Sequence, residues 1–393
     1  MIRARSRSEF RLWDVLRVAI LFVSIIFVGC AGPSGDGASG GAQDQTSSSA
    51  REAGEKASLL SHMSVRDMVG QMFVISVGGT GPDYYIEKMV RERNIGGVIL
   101  FSHNMKSEEQ VKSLTGSLQK LSIRTVPAVP LFVAVDQEGG DIASAPWVAP
   151  QPAAAEIGSR GDPDEARKVA AQIGGQLLRA GVNTDFAPVV DTGFGAAIGN
   201  RSYGEDPELV ARMGAAAVDG FKEAGVVSAA KHFPNHGPAT SDSHVSLPVV
   251  RHDQKTIESY DLPPFRAAVD AGVPMVMVGH LVYPEIDPEH PASLSKDAIS
   301  MLREDLGFNG VVITDDLAMA GATGGGPPAR AAVEAVGAGA DLLIISSPPR
   351  EQADAYDAVV AAVRSGELSR TQIRESVGRI LAVKEKYHLR GGR

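Results

Sequence analysis

The chain predicts an α/β fold, a single (β/α)8 TIM-type barrel, preceded by a signal peptide and a flexible linker. Three observations predict it. Eight short apolar runs are spaced along the chain from about residue 64 onward, amphipathic stretches fill the gaps between them, and polar residues gather at the carboxyl ends of the runs. The strand candidates are Gln71–Ser76, Gly97–Phe101, Leu131–Asp136, Val182–Ala187, Val226–His232, Pro274–His280, Gly310–Asp315 and Ala340–Ser346. Their continuous apolar character suits strands covered on both faces by helices. Among the helical stretches, Pro163–Ala180 and Pro207–Ala224 open with Asp162-Pro163 and Asp206-Pro207, an Asp cap before Pro in the first turn. A third is Pro349–Arg364. Strand followed by helix, eight times, closes most simply into a barrel. A doubly wound open sheet shares the alternation and is the structural alternative.

Composition agrees. The 393 residues are 44% hydrophobic and 5% aromatic, with 43 Gly, a balance suited to many short turns between strands and helices. The net charge of −9 leaves nothing to neutralise phosphates broadly, so no nucleic-acid partner is expected.

The N-terminus reads separately. Arg3, Arg5, Arg7, Arg11 and Arg17 precede or flank the apolar run Val18–Val28, which ends in Gly29-Cys30. A basic segment, a short apolar segment and a small residue together read as an export signal over residues 1–29. The run is short of the about 20 residues a spanning helix needs. Phe27-Val28-Gly29-Cys30 resembles a lipobox, which implies Cys30 as the lipidation site and the membrane as a partner through a lipid anchor, on the extracytoplasmic face; an ordinary signal peptide or an N-terminal anchor helix is the alternative reading. Cys30 is also the only cysteine, so no internal disulfide is possible. Residues 1–29 carry five Arg, one Glu and one Asp, so the remainder stands near −12. Residues 30–57, rich in Gly, Ser, Ala and Gln, cannot offset their ordering entropy by burial and read as a tether. Its mean span is roughly 25–30 Å. Residues 58–393 are left for the barrel.

In a barrel of this kind the active site forms where strands end. The third run ends in Asp136-Gln137-Glu138-Gly139-Gly140, and the fourth leads to Asp185, Asp191 and Asn200-Arg201-Ser202-Tyr203. The fifth ends in Lys231-His232-Phe233-Pro234-Asn235-His236-Gly237, followed by Asp242-Ser243-His244; the sixth in Gly279-His280; the seventh in Thr314-Asp315-Asp316. Singly, each has an ordinary reading: Asp136 or Asp315 as a helix cap, Lys231 or Arg201 as a solvated charge, His232 as a satisfied core histidine. Together they converge on one mouth from five strands. Burying that much charge without partners or ligand costs several kcal/mol per group.

Lys231-His232-Phe233-Pro234-x-His236-Gly237-x4-Asp242-Ser243-His244 resembles the signature of glycoside hydrolase family 3, in its β-N-acetylhexosaminidase branch. Asp136-Gln137-Glu138-Gly139-Gly140, Asn200-Arg201-Ser202-Tyr203 and Thr314-Asp315-Asp316-Leu317-Ala318-Met319 resemble three further blocks in the same order. Val69-Gly70-Gln71-Met72-Phe73, Gly96-Gly97-Val98-Ile99-Leu100-Phe101 and Pro263-Pro264-Phe265 also fit, so the resemblance spans about residues 63–388. It implies Asp315 as nucleophile, forming a covalent glycosyl-enzyme, and His244 as general acid/base polarised by Asp242. Asp136, Arg201, Lys231 and His232 correspond to positions that bind N-acetylglucosamine. No cofactor and no metal are implied. The reaction implied is exo-removal of terminal β-linked N-acetylglucosamine with retention, and the exported location points to peptidoglycan fragments and wall turnover.

Elementary chemistry is compatible with those roles. Retaining glycosidases usually pair two carboxyl groups about 5–5.5 Å apart. A His with an ordinary pKa near 6.5 can also donate and accept a proton near neutrality, and an Asp beside it fixes its tautomer. Asp316 is the lesser candidate for nucleophile because successive strand side chains point oppositely. The pair in the long Gly237–Leu247 loop implies that the loop closes over substrate.

Two departures from the family pattern stand out. Asn235 replaces the usual Gly, and Asn tolerates left-handed backbone better than most residues. Asp141, Ile142, Ala143 and Ser144 stand where Arg-Val and a second Arg are usual, so Ser144 lacks a sugar-binding cation. Three rival readings use the same residues: a phosphorylase, with phosphate replacing water; a metal-dependent hydrolase using His232, His236, His244, His280 and Asp315; and a surface sugar-binding lipoprotein without catalysis. The classical β-glucosidases of the family usually carry a second domain, for which the sequence after about residue 390 has no room. A monomer is expected.

Overall fold

The computed structural model describes residues 58–389. The expected export signal 1–29, the lipidation site Cys30 and the tether 30–57 lie outside the described residues. Among the described residues, no helix is long and apolar enough to cross a membrane.

Eight parallel strands close into a barrel: β1 Phe73–Ser76, β2 Gly97–Ile99, β3 Phe132–Val135, β4 Thr184–Asp185, β5 Val227–Phe233, β6 Met275–Val278, β7 Val311–Asp316 and β8 Leu342–Ile345. Each pairs with its neighbours in sequence, and β1 pairs with β8. All eight predicted runs become strands, at the predicted places. The fourth shortens most. Asn183 accounts for this at its start: its side chain bonds the Val133 N–H (2.8 Å) and the Leu131 carbonyl (3.0 Å) in place of a main-chain rung. Pro188, which has no N–H to give, follows at its end.

Between the strands lie α1 Tyr84–Arg93, α2 Glu108–Ser122, α3 Pro163–Arg179, α4 Pro207–Ala224 and α5 Leu262–Asp270. Then come α6 Lys296–Ser300, which runs into a π-helical turn Met301–Asp305, α7 Ala329–Ala338 and α8 Pro349–Ser365. The predicted starts hold: Asp162 accepts from the Asp164 N–H and Asp206 from the Glu208 N–H, each with Pro in the first turn. A last helix, Arg370–Lys386, packs across the barrel floor, where Lys384 donates to the Gly96 carbonyl and the Gln71 side chain, each at 2.8 Å.

The core is the strand surface itself. β3, β6 and β8 are buried at every position, with Phe132, Val133, Met275, Val276, Leu343 and Ile344 at 2% exposure or less. Interior layers of such side chains fill the barrel, so a ligand enters only where strands end. A short hairpin, Gln137–Gly139 paired antiparallel with Ile142–Ala143, rises from the end of β3 and forms one wall of the mouth.

Candidate active site

The mouth holds a cavity of about 420 Å³. Asp136 and Glu138 from the end of β3, Arg201 from the loop after β4, Lys231 and His232 from β5, and Asp315 from β7 all line it. His244, from the loop after β5, lines it too. The strand ends therefore bring together six of the seven predicted catalytic and sugar-binding residues. Asp242 stands behind His244, its Oδ1 2.8 Å from His244 Nδ1 and accepting the His244 main-chain N–H at 2.9 Å.

Glu138 was not singled out from sequence, yet it organises the mouth. It is buried, accepts a two-pronged bond from the Arg201 guanidinium (2.8 and 2.7 Å), and lies 2.7 Å from the Lys231 ammonium. Lys231 also bonds Asp136 at 2.7 Å. Burial works against charge on Glu138, but Lys231 and Arg201 outweigh it and hold the carboxyl down to about 2. Burial likewise opposes the Lys231 ammonium, and Asp136 and Glu138 outweigh it, raising its pKa above the ordinary value. The one signal in the sequence was position: Glu138 lies two residues beyond Asp136, on the hairpin that turns back over the mouth.

Asp191, also not chosen from sequence, orients His232. Its Oδ2 lies 2.7 Å from His232 Nδ1, and its Oδ1 accepts the His236 N–H at 2.6 Å and the His232 N–H at 3.2 Å. An ionised carboxylate on Nδ1 puts the proton there and turns Nε2 away from it. His236 and His280 add to the wall behind. His236 Nε2 lies 2.9 Å from Ser243 Oγ, and His280 bonds Ser293 Oγ (2.7 Å) and the Asp316 carbonyl (3.0 Å).

The two neighbouring aspartates at the end of β7 have different surroundings. Burial pushes the Asp315 carboxyl up, but His232, His280, the Asp316 N–H and Lys231 outweigh it and bring it down to about 2. Asp315 is thus an anion across the working range of pH. Burial dominates for Asp316, whose carboxyl is raised; it is taken up by the Ser346 hydroxyl and N–H and by the Ala318 N–H. Both border the cavity, contrary to the strict alternation read from sequence, but Asp316 is spent on tying the end of β7 to the end of β8 through Ala318 and Ser346. Asp185 is set back from the cavity: its Oδ1 accepts the Gln137 N–H, and burial raises its pKa well above the ordinary value.

Ser144 lines the cavity where the family pattern carries an arginine, and Asp141 is turned outward to Asn200, 2.8 Å away. Both cations of the mouth, Lys231 and Arg201, are already engaged by carboxylates. Among the described residues, no group of three or more His, Cys, Asp or Glu is placed to hold a metal ion. Of the candidate ligands, His280 has both ring nitrogens engaged by protein groups, whereas His232 and His236 each engage one.

The fold and site define the class as a (β/α)8 barrel whose mouth sets an ionised aspartate at one strand end, a sugar-sized cavity lined by both cations and carboxylates, and an Asp–His pair at its rim. The model of the glycosyl hydrolase family 3 N-terminal domain matches residues 64–383, and the chain belongs to that family. The β-hexosaminidase A of Pseudoalteromonas piscicida is 36% identical over 329 residues, which cover 77% of this chain and 55% of that protein. A family 3 β-N-acetylglucosaminidase structure from a Paenibacillus species superposes with a TM-score of 0.81 at 38% identity, covering 83% of this chain and 63% of that one. A β-N-acetylhexosaminidase structure from Beutenbergia cavernae does so with a TM-score of 0.76 at 30% identity, covering 82% and 99%. The chain spans little more than half of the Pseudoalteromonas protein and almost the whole of the Beutenbergia one.

Proposed function

We propose that this protein is a retaining exo-β-N-acetylglucosaminidase. The observation that carries the reading is the ionised carboxylate of Asp315 facing the same cavity as the His244 imidazole and the Lys231–Asp136–Glu138–Arg201 cluster. Asp315 attacks the anomeric carbon while His244, its tautomer set by Asp242, gives a proton to the leaving oxygen; water then releases the sugar with His244 as base. Asp136, Arg201, Lys231 and His232 bind the sugar hydroxyls. The Gly237–Leu247 loop closes during this cycle, since the His244 side chain stands 67% exposed and a general acid must leave bulk water to work well.

Water, rather than phosphate, is the acceptor. Asp136, Glu138 and Asp315 border the cavity, both cations are paired, and Ser144 brings no charge, so a dianion meets net repulsion. The natural substrate is taken to be N-acetylglucosamine-bearing wall fragments, reached by a monomer anchored to the membrane through Cys30.

The test is hydrolysis of aryl β-N-acetylglucosaminides by wild type, Asp315→Ala and His244→Ala, with and without phosphate. Asp315→Ala is expected to lose at least about 10³-fold in kcat. His244→Ala is expected to lose about 10²–10⁴-fold with poor leaving groups and far less with activated ones. Full activity of Asp315→Ala would refute the reading, and sugar 1-phosphate as the main product would turn it into a phosphorylase.

A further inference from the structure

The acid/base loop rises from a stem held by five hydrogen bonds of one residue, and that residue departs from the family pattern. Asn235 is fully buried. It has no positive φ, so left-handed tolerance is not what it supplies. Its amide is used instead. Oδ1 accepts the Thr192 N–H (3.0 Å) and the Gly237 N–H (2.9 Å), while Nδ2 donates to the Thr192 carbonyl (3.2 Å) and to Asp261 Oδ1 (2.7 Å). Its own carbonyl accepts from the Tyr283 hydroxyl at 2.6 Å. Asp261 ends a π-helical turn, Ile257–Asp261, and is fully buried; its Oδ2 lies 2.8 Å from Nδ1 of the partly exposed His252.

The consequence reaches the acid. The Asn235 bonds clamp the 191–193 segment to the 235–237 turn, and a Cβ on Gly237 would sit 1.9 Å from the Thr192 carbonyl oxygen, so the two main chains touch. The next residue, His236, reaches across the loop to Ser243 Oγ, and Ser243 immediately precedes His244. An amide with both ends satisfied on main chain, held by a buried carboxylate, defines where this turn lies far more tightly than a glycine does.

We infer that Asn235, Asp261 and His252 form a positioning unit that fixes the stem of the acid/base loop and thereby how well His244 protonates the leaving group. The inference rests on the reading of His244 given above. None of the three lines the cavity, and the path from them to His244 runs through His236 and Ser243.

The experiment compares kcat and KM for a poor leaving group, an alkyl β-N-acetylglucosaminide, and for an activated one, a nitrophenyl glycoside. The variants are Asn235→Ala, Asp261→Leu, Asp261→Asn, His252→Phe and His244→Ala as reference, with the melting temperature of each. Asn235→Ala and Asp261→Leu are expected to lower kcat about 10- to 100-fold for the alkyl glycoside, with KM and the nitrophenyl rate within about twofold of wild type. Asp261→Asn, which keeps an acceptor for Asn235, is expected to recover most of that loss, and His252→Phe to fall between. Should Asp261→Leu not fold, Asp261→Asn and His252→Phe carry the comparison. Equal losses on both substrates, or a lowered melting temperature with unchanged kcat, overturn the inference while leaving His244 selective. If His244→Ala itself shows no leaving-group selectivity, the reading of His244 falls and the inference with it.

Discussion

Both ends of the barrel bury charged side chains, and to opposite effect. At the floor, Asp341 accepts from Arg379 (2.8 Å), from Arg303 (2.5 Å) and from the Val312 N–H (2.9 Å), and Lys384 is buried between two acceptors over the Phe132 ring. Asp341 is consumed in joining the start of β8 to the last helix through Arg379 and to the Met301–Asp305 turn through Arg303. At the mouth, Lys231 and Arg201 are likewise paired, yet Asp315 and Asp136 face an open cavity with oxygens left for a ligand. Buried charge alone therefore does not mark a site. Open space alone does not mark it either, since cavities also lie beside Arg379 and Lys384 at the floor; what marks the mouth is carboxylates that face its cavity, whereas Asp341 is fully engaged by protein groups.

That contrast can be broken by substitution, the largest effect being expected at the mouth. Lys231→Met strands Asp136 and Glu138 without their shared cation. It is expected to cost about 3–5 kcal/mol of stability and to abolish measurable turnover in the fraction that folds. Denaturant unfolding alongside single-turnover rates checks both halves. Asp341→Ala strands two arginines at the floor and is expected to cost a similar amount, about 3–5 kcal/mol, but to leave kcat per folded molecule unchanged. A matching fall in kcat would mean that the two ends are coupled and would end the comparison.

A smaller effect separates them by pH. The Glu138 carboxyl sits at about 2 in the folded protein, below its ordinary value of 4.5. The unfolded chain therefore binds this proton more readily, so the contribution to stability is complete above the unfolded value and is lost as pH falls toward 2. Asp315, at about 2, works in the same direction. Glu138→Gln is expected to flatten the fall in stability between about pH 5 and pH 2 in denaturant titrations; an unchanged slope would refute the ion-pair account of the mouth. The smallest effect belongs to the floor. Lys384 is buried with its pKa lowered well below the ordinary value by burial, and the Gly96 carbonyl it bonds also accepts the Phe132 N–H. Lys384→Met is expected to change stability by about 1–2 kcal/mol, because only the Gln71 side chain loses its partner.

Much of the fold was legible because its signals are local. Continuous apolar runs, Asp-Pro helix starts and glycine-rich turns each act within a few residues, and all eight runs became strands. The fourth run failed at its edges for a reason that is not local: Asn183 is counted as a polar strand residue until its side chain is seen to replace a rung on β3. The site was legible in a different sense. Asp136, Arg201, Lys231, His232, His244 and Asp315 were chosen by their places at strand ends and by family resemblance, and the cavity gathers all six. Glu138, Asp191 and Asp261 were missed. Glu138 and Asp191 lay at strand ends, but position alone does not distinguish a carboxylate that caps a helix from one that holds a cation or a histidine, and Asp261 carried no signal at all.

By itself, the sequence determined which chemical groups are present, their order, and the end of the barrel at which they emerge, since alternation of strand and helix fixes the direction of every strand. Only the tertiary structure decided their partners. Glu138 lies 63 positions from Arg201, and Asp261 lies 26 from Asn235. Whether such groups meet depends on how a closed barrel brings distant strand ends into register. A pKa, a tautomer or a free carboxylate oxygen depends on those neighbours, so each came into being only when the barrel closed.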